Sequence, residues 1–290
     1  MGKWESGKTK TDSSTFFNPI QSESTYINMT ESKKAALSIV KIGGNIVDNP
    51  EALEPFLNDF HQLEGHKLLV HGGGVMASKM AKQLGIETKM IDGRRITDEE
   101  TLKLVTMVYA GWGNKNIVAL LQKTGCNALG LSGADANTIP ATRRSPVPVD
   151  FGFAGDPDPD KTNTAFISQL IESGITPVFC AITHDGGGSL LNTNADTIAY
   201  TLATALSGKY LVSIYYCFEK EGVMMDVNDP ASMIPRMTRE EYERYKQKGI
   251  IVEGMIPKLD NSFRAMENGV SKVVVLHAKN LLSGKGTVLG

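Results

Sequence analysis

The sequence has little of what would staple a fold from outside. It contains three cysteines in 290 residues, Cys126, Cys180 and Cys217, with no CxxC pair. An odd, widely spaced set gives neither a disulfide framework nor a zinc ribbon. Each lies among apolar residues, where a buried, inert thiol in a reducing compartment is expected. No apolar run approaches the ~20 residues that a membrane helix needs. The first residues lack the apolar core of a secretory signal. An excess of one charge is missing too: 30 Lys and Arg stand against 32 Asp and Glu, for a net charge of −2. A dedicated nucleic-acid binder would carry a basic surplus. GxxxxGK[ST], GxGxxG, GxSxG and HExxH are absent, and the five histidines show no metal spacing. The acidic run Gly155 to Asp160 lacks the EF-hand order of ligands. The expectation is a cytoplasmic protein with no nucleic-acid or membrane partner and no metal held by protein side chains alone.

What is present reads as an ordinary globular chain, 41% hydrophobic and 21% charged. At about 150 residues per domain the length suggests two lobes. Residues 1–32 are rich in Ser, Thr, Lys and Asn without a clear period, and read as a loosely packed extension. Phe16-Phe17 leaves open a short interaction arm. From Leu37 the grammar changes. The apolar strand Leu37 to Lys41 meets Gly43-Gly44 and then a helix from about Pro50 to Leu63. The strand Lys67 to Val70 meets His71-Gly72-Gly73-Gly74 and a helix to about Leu84. Strand, glycine turn and helix in alternation predict an α/β fold, a three-layer αβα sandwich around a mainly parallel sheet. Gly93 to Ile96 reads as a short hairpin or extended segment, and Thr97 to Glu100 as a capping box opening a long helix through Leu120. Arg143 to Pro159 reads as a β-hairpin excursion, and Asp185-Gly186 as a hairpin turn. A lobe of residues 33–207 and a lobe of residues 208–290 are expected, divided at Gly208.

The candidate chemistry sits where strands end. Glycine lets the backbone approach a ligand, and a helix N-terminus offers free N–H donors to an anion. Glycines also serve any tight βα turn, so one such turn is weak evidence and two in succession are stronger. Lys41 ends an apolar strand at the carboxyl edge of the sheet, where open α/β folds bind ligands; a lysine snorkelling past the edge is the alternative. Lys258, beside Pro257 in a helix's first turn, opposes the helix dipole and reads either as a surface charge or as a cation that a ligand wants. In Asn192-Thr193-Asn194-Ala195-Asp196, capping by Thr193 or Asn194 with Asp196 complementing the helix dipole accounts for some of the residues but does not require both Asn192 and Asp196. A carboxylate near two lysines would fix them for phosphate work, and Arg95 could clamp a substrate carboxylate.

Five of these segments carry a resemblance. Lys41-Ile-Gly-Gly44, His71-Gly-Gly-Gly74, Gly93-Arg-Arg-Ile-Thr97, Asn192-Thr-Asn-Ala-Asp196 and Gly254-Met-Ile-Pro-Lys258 stand in the order and approximate spacing of the amino acid kinase family. The chain resembles that family from about Leu37 to Gly290. The resemblance implies a carboxyl phosphotransferase. It would move a phosphoryl group from ATP, with Mg2+, to the γ-carboxylate of N-acetyl-L-glutamate in arginine biosynthesis. A kinase for another N-acyl glutamate, such as the succinyl form, and a non-catalytic amino-acid sensor are the alternatives. The family pattern makes Lys41, Asp196 and Lys258 catalytic. It gives the acylglutamate to Gly73, Gly74, Arg95 and Asn192, and the nucleotide phosphates to Gly43 and Gly44. Relatives read [ST]-D-[VI]-x-G after the strand ending near Ile214, whereas Tyr215 to Val223 departs from that pattern, so adenine and ribose contacts stay unassigned. The resemblance also implies a homodimer packed through the helix from Asp98 to Leu121. In arginine-inhibited relatives a helix precedes the first strand. The stretch before Leu37 has no sustained helical period, so weak or absent arginine inhibition is expected.

Overall fold

The computed structural model describes Met1, Gly2 and residues 34–290, apart from Asp92, Val227 and residues 252–254. The expectations for the N-terminal extension, the Phe16-Phe17 arm and Gly254 therefore lie outside the described residues. Lys34–Gly290 forms one compact unit and carries everything below.

The chain begins with β1 (Ala36–Ile42), α1 (Gly44–Val47), α2 (Pro50–Gln62), β2 (His66–His71) and α3 (Gly74–Leu84). The hairpin β3 (Lys89–Ile91) and β4 (Arg94–Ile96) follows, then α4 (Glu99–Thr106), a π-helical stretch Met107–Gly113, α5 (Asn114–Lys123) and β5 (Ala128–Leu131). A second hairpin pairs β6 (Ala141–Arg143) with β7 (Gly155–Pro157), followed by α6 (Thr164–Glu172) and β8 (Thr176–Cys180). A third pairs β9 (Ile182–His184) with β10 (Leu190–Asn192) ahead of α7 (Ala195–Leu206). Next come β11 (Leu211–Phe218), β12 (Arg236–Met237), α8 (Arg239–Gln247), α9 (Ile256–Glu267), β13 (Lys272–His277) and β14 (Gly286–Leu289).

The central sheet runs β12-β14-β13-β11-β1-β2-β8-β5. It is parallel except where β14 pairs antiparallel with β13. Strand alternation divides the core into two layers. Leu37 and Ile39 of β1 join the cluster that contains residues of α3, α4, α6, α7 and α9, whereas Val40 and Ile42 join the one built with α1, α2 and α5. These are the helical faces of the expected sandwich. The sheet is continuous across Gly208, because β1 pairs with β11 on one side and β2 on the other.

The long helix after the first hairpin differs from expectation at both its start and its middle. Its cap is Asp98, whose carboxylate accepts from the Thr101 N–H at 2.8 Å, and not Thr97. Thr97 is fully buried, and its hydroxyl donates to the Arg95 carbonyl. In the middle, the π stretch lets one rod serve both layers. Leu104, Val105, Val108 and Tyr109 pack into the first core, and Ile117 and Leu121 into the second.

Candidate active site

The period of two along β1 puts Lys41 on the Leu37 and Ile39 face, the face that α7 and α9 cover. The strand's last turns are therefore apolar until the sheet edge, where the lysine reaches the top of the layer. Its register partner on β11 is Tyr216. The N-terminus of α7 supplies the counter-charge. Asn194 caps that helix, its amide oxygen accepting from the N–H groups of Asp196 at 2.7 Å and Thr197 at 3.3 Å. The helix end is thus satisfied without the Asp196 carboxylate, which turns to the lysines instead. Its Oδ2 accepts from Lys258 Nζ at 2.9 Å. Its Oδ1 lies 2.8 Å from Lys41 Nζ as an ion pair off hydrogen-bond alignment. The three side chains are only 12–18% exposed. The Lys258 ammonium also stands 5.0 Å over the Tyr216 ring.

Burial alone would push the Asp196 carboxyl up, but Lys258 and then Lys41 outweigh it and hold it well below the usual carboxylate range. Burial pulls Lys258 down, and Asp196 only partly offsets this against the like charge of Lys41. Two cations around one anion leave a net positive charge in a mostly dry corner. That is the arrangement that neutralises a phosphoryl group in transfer.

The first glycine turn divides its labour. Gly43 gives its N–H to the Cys217 carbonyl at 2.9 Å and ties β1 to β11. Gly44 borders a cavity of about 540 Å3 together with Lys41 and Asp196. The second turn is held by a buried polar pair. The His71 imidazole donates through Nδ1 to the Gly72 carbonyl at 2.7 Å, and its Nε2 accepts from the Asn114 amide at 3.0 Å. Burial pushes His71 down to about 4, so the ring is neutral at pH 7. Gly73 packs against the Tyr109 ring from the π stretch, and a Cβ there would fall 2.6 Å from Tyr109 Cδ1. Only glycine fits.

Gly72, Gly73, Gly74 and Arg95 border both that cavity and a smaller adjoining one of about 180 Å3. Arg95 is 7% exposed. Its Nη2 donates to the Gly74 carbonyl at 3.1 Å and the Ser78 hydroxyl at 2.8 Å. Its Nη1 is buried without a partner. An unpaired buried guanidinium donor is costly, and a carboxylate is its natural complement. Asn192 lines the same small cavity and donates to the Thr97 hydroxyl at 2.9 Å. Lys41, Asp196, Gly44, Gly73, Gly74, Arg95 and Asn192 thus line one pair of adjoining cavities; Lys258 lines neither but joins them through Asp196, and Gly43 ties β1 to β11 beside Gly44. Sequence reasoning missed Tyr109, Tyr216 and Ser78. Their types carry no site signal, and only strand register and helix phase bring them there.

The model of the amino acid kinase family matches residues 36–277. An acetylglutamate kinase from Phocaeicola vulgatus is 54% identical over 256 residues, covering 88% of this chain and 99% of that protein. One from Methanopyrus kandleri is 36% identical over 257 residues, covering 87% and 100%. Among solved structures, N-acetylglutamate synthase from Neisseria gonorrhoeae, with coenzyme A and N-acetyl-glutamate, superposes with a TM-score of 0.75 at 19% identity. That match covers 89% of this chain and 60% of the synthase, and shows the fold alone. With the family model matching residues 36–277, and with a relative of this identity along nearly its whole length, the chain belongs to the amino acid kinase family.

Proposed function

We propose that this chain transfers the γ-phosphoryl group of ATP to the γ-carboxylate of N-acetyl-L-glutamate. The Lys41–Asp196–Lys258 cluster beside a cavity with an unpartnered arginine donor is the observation that carries this reading. The acceptor carboxylate is already ionised at pH 7 and needs no general base. Its oxygen attacks the γ-phosphorus, a new O–P bond forms, and the bond to the β-phosphate oxygen breaks to release ADP. Lys41 and Lys258 neutralise the transferring group, and Asp196 holds both ammonium groups in place. Gly43 and Gly44 shape the backbone beside the phosphates. Gly73, Gly74, Arg95 and Asn192 hold the acylglutamate, with Arg95 on its α-carboxylate.

Mg2+ would enter on the nucleotide phosphates. Asp196 is committed to two lysines, and the described residues contain no cluster of three or more carboxylate, His or Cys ligands. The acylglutamate part extends to about Ser207 and the nucleotide part follows it. Hydroxylamine trapping of the acyl phosphate from ATP and N-acetyl-L-glutamate tests the reaction, and no trapped product would refute it. Arg95→Ala should raise the KM for acylglutamate about tenfold or more, the worth of a charge-assisted hydrogen bond. A KM change confined to ATP would refute the Arg95 assignment.

A further inference from the structure

The Lys258 ammonium has less around it than a buried cation ordinarily needs. Its side chain is 12% exposed. Among the described residues its one hydrogen bond runs to Asp196 Oδ2, at 2.9 Å, and Lys41 pairs with the same carboxylate. One anion thus serves two ammonium groups, and a buried charge so thinly matched is costly. What lies against Lys258 from the sheet is the face of Tyr216, with Nζ 5.0 Å from the ring centroid.

Strand register puts the ring there. Tyr216 is the partner of Lys41 across the β1–β11 pair, so both side chains leave the sheet on the face that α7 and α9 cover. The ring is 1% exposed, and its hydroxyl is buried without a hydrogen-bond partner. Burial pushes the hydroxyl's pKa up, so the ring stays neutral. The other groups facing Lys258 do not replace it. Glu219, just past the end of β11, acts on Lys258 more weakly than Asp196 and is itself exposed. Cys217, whose thiol burial also pushes up, is uncharged. On α8, Tyr242 and Lys246 both go to Asp260.

A ring face suits this position as other partners would not. A second carboxylate would cancel the net positive charge that phosphoryl transfer uses. A carbonyl would take an N–H donor that a phosphoryl oxygen needs. The negative face of an aromatic ring attracts the ammonium and leaves those donors free. An aliphatic side chain would fill the same space and hold no charge.

Resting on the kinase reading above, we propose that Tyr216 is a positioning residue for phosphoryl transfer, its ring face holding the charged Lys258 ammonium beside Asp196. Tyr216 lines neither cavity of the site and acts through Lys258.

Kinetics with ATP and N-acetyl-L-glutamate test this. Tyr216→Leu should lower kcat about tenfold, within the worth of a desolvated cation–π pair, and leave both KM values nearly unchanged. The alkaline limb of its kcat profile should move to lower pH, because the ring favours the charged form of Lys258. Tyr216→Phe, which keeps the face, should restore kcat and the limb. In a Lys258→Ala background the Tyr216→Leu change should have no further effect, since the ring then has no cation to hold. Pentafluorophenylalanine at position 216 keeps an aromatic ring but not its negative face, so it should behave like leucine even where leucine disturbs folding. Equal kcat with phenylalanine and pentafluorophenylalanine overturns the proposal. So does a Tyr216→Leu loss that persists in full in Lys258→Ala. A Tyr216→Phe variant as slow as Tyr216→Leu overturns it too, and gives the role to the hydroxyl. These failures leave the kinase reading standing. Absence of turnover in the unaltered protein overturns that reading and this inference with it.

Discussion

Lys41 and Lys258 would repel each other across the site without Asp196 between them. On the proposed reading they are expected to act in turnover more than in folding. Lys258→Ala is expected to lower kcat by roughly a hundredfold or more, as for other preorganised charges. Steady-state kinetics on variant protein with an unchanged circular dichroism spectrum decides this, and a near-wild-type kcat counts against the role. Burial also lowers the Lys258 pKa, so it loses its proton as pH rises, before an ordinary lysine near 10.4 would. kcat should fall on that alkaline side, and the limb should move upward in Lys258→Arg. His71 gives a second expectation, on stability. Folded, it binds its proton only near pH 4, against 6.5 for an ordinary histidine. Between those values the unfolded chain binds more protons, so stability is complete above pH 6.5 and falls as pH drops towards 4. The gap is worth on the order of 3 kcal/mol. Urea midpoints at pH 7.5 and pH 5 should show this loss, with a smaller loss in His71→Gln.

Among the elements, the rod from α4 through the π stretch to α5 shows how local chemistry and tertiary demand divide a segment. Asp98 alone caps it, so Asp98→Ala should cost about 1 kcal/mol of unfolding free energy, measured by urea titration. Thr97 reads as the cap from sequence because Glu100 follows it at capping-box spacing. The structure spends Thr97 on the Arg95 carbonyl and the Asn192 amide instead, and so ties the first hairpin to the end of β10 at the small cavity. The Thr238 and Glu241 pair, by contrast, forms a complete reciprocal capping box at α8.

At the scale of the whole molecule, the same rod exposes Met107 and Trp112, 61% and 64% accessible, on the π stretch that buries Tyr109. Large apolar side chains on one exposed element suit burial against a second copy. A homodimer through this rod is expected. Light scattering should give twice the chain mass, and Trp112→Glu should shift the population towards monomer. An arginine titration of activity beside it checks the expected weak or absent inhibition. Sub-millimolar inhibition of a larger oligomer would overturn both expectations.

Much of the architecture was legible before any coordinates, because it rests on local periodicity. The strand from Leu37 to Lys41, the glycine turns after β1 and β2, a cap at Thr193 or Asn194, of which the structure uses Asn194, and the Asp185-Gly186 hairpin each depend on a few neighbouring residues. The motif residues and their order were legible for the same reason. What the tertiary structure alone decided is which of them meet. Lys41 and Lys258 are 217 positions apart, and they share Asp196 because parallel register places β1 beside β11 beneath α7 and α9. Tyr216 enters the site through that register, and Tyr109 through the phase of a π turn. Arg94 and Arg144 come to line one cavity only because two distant hairpins close on it, since a run of sequence records charge but not the distance between charges.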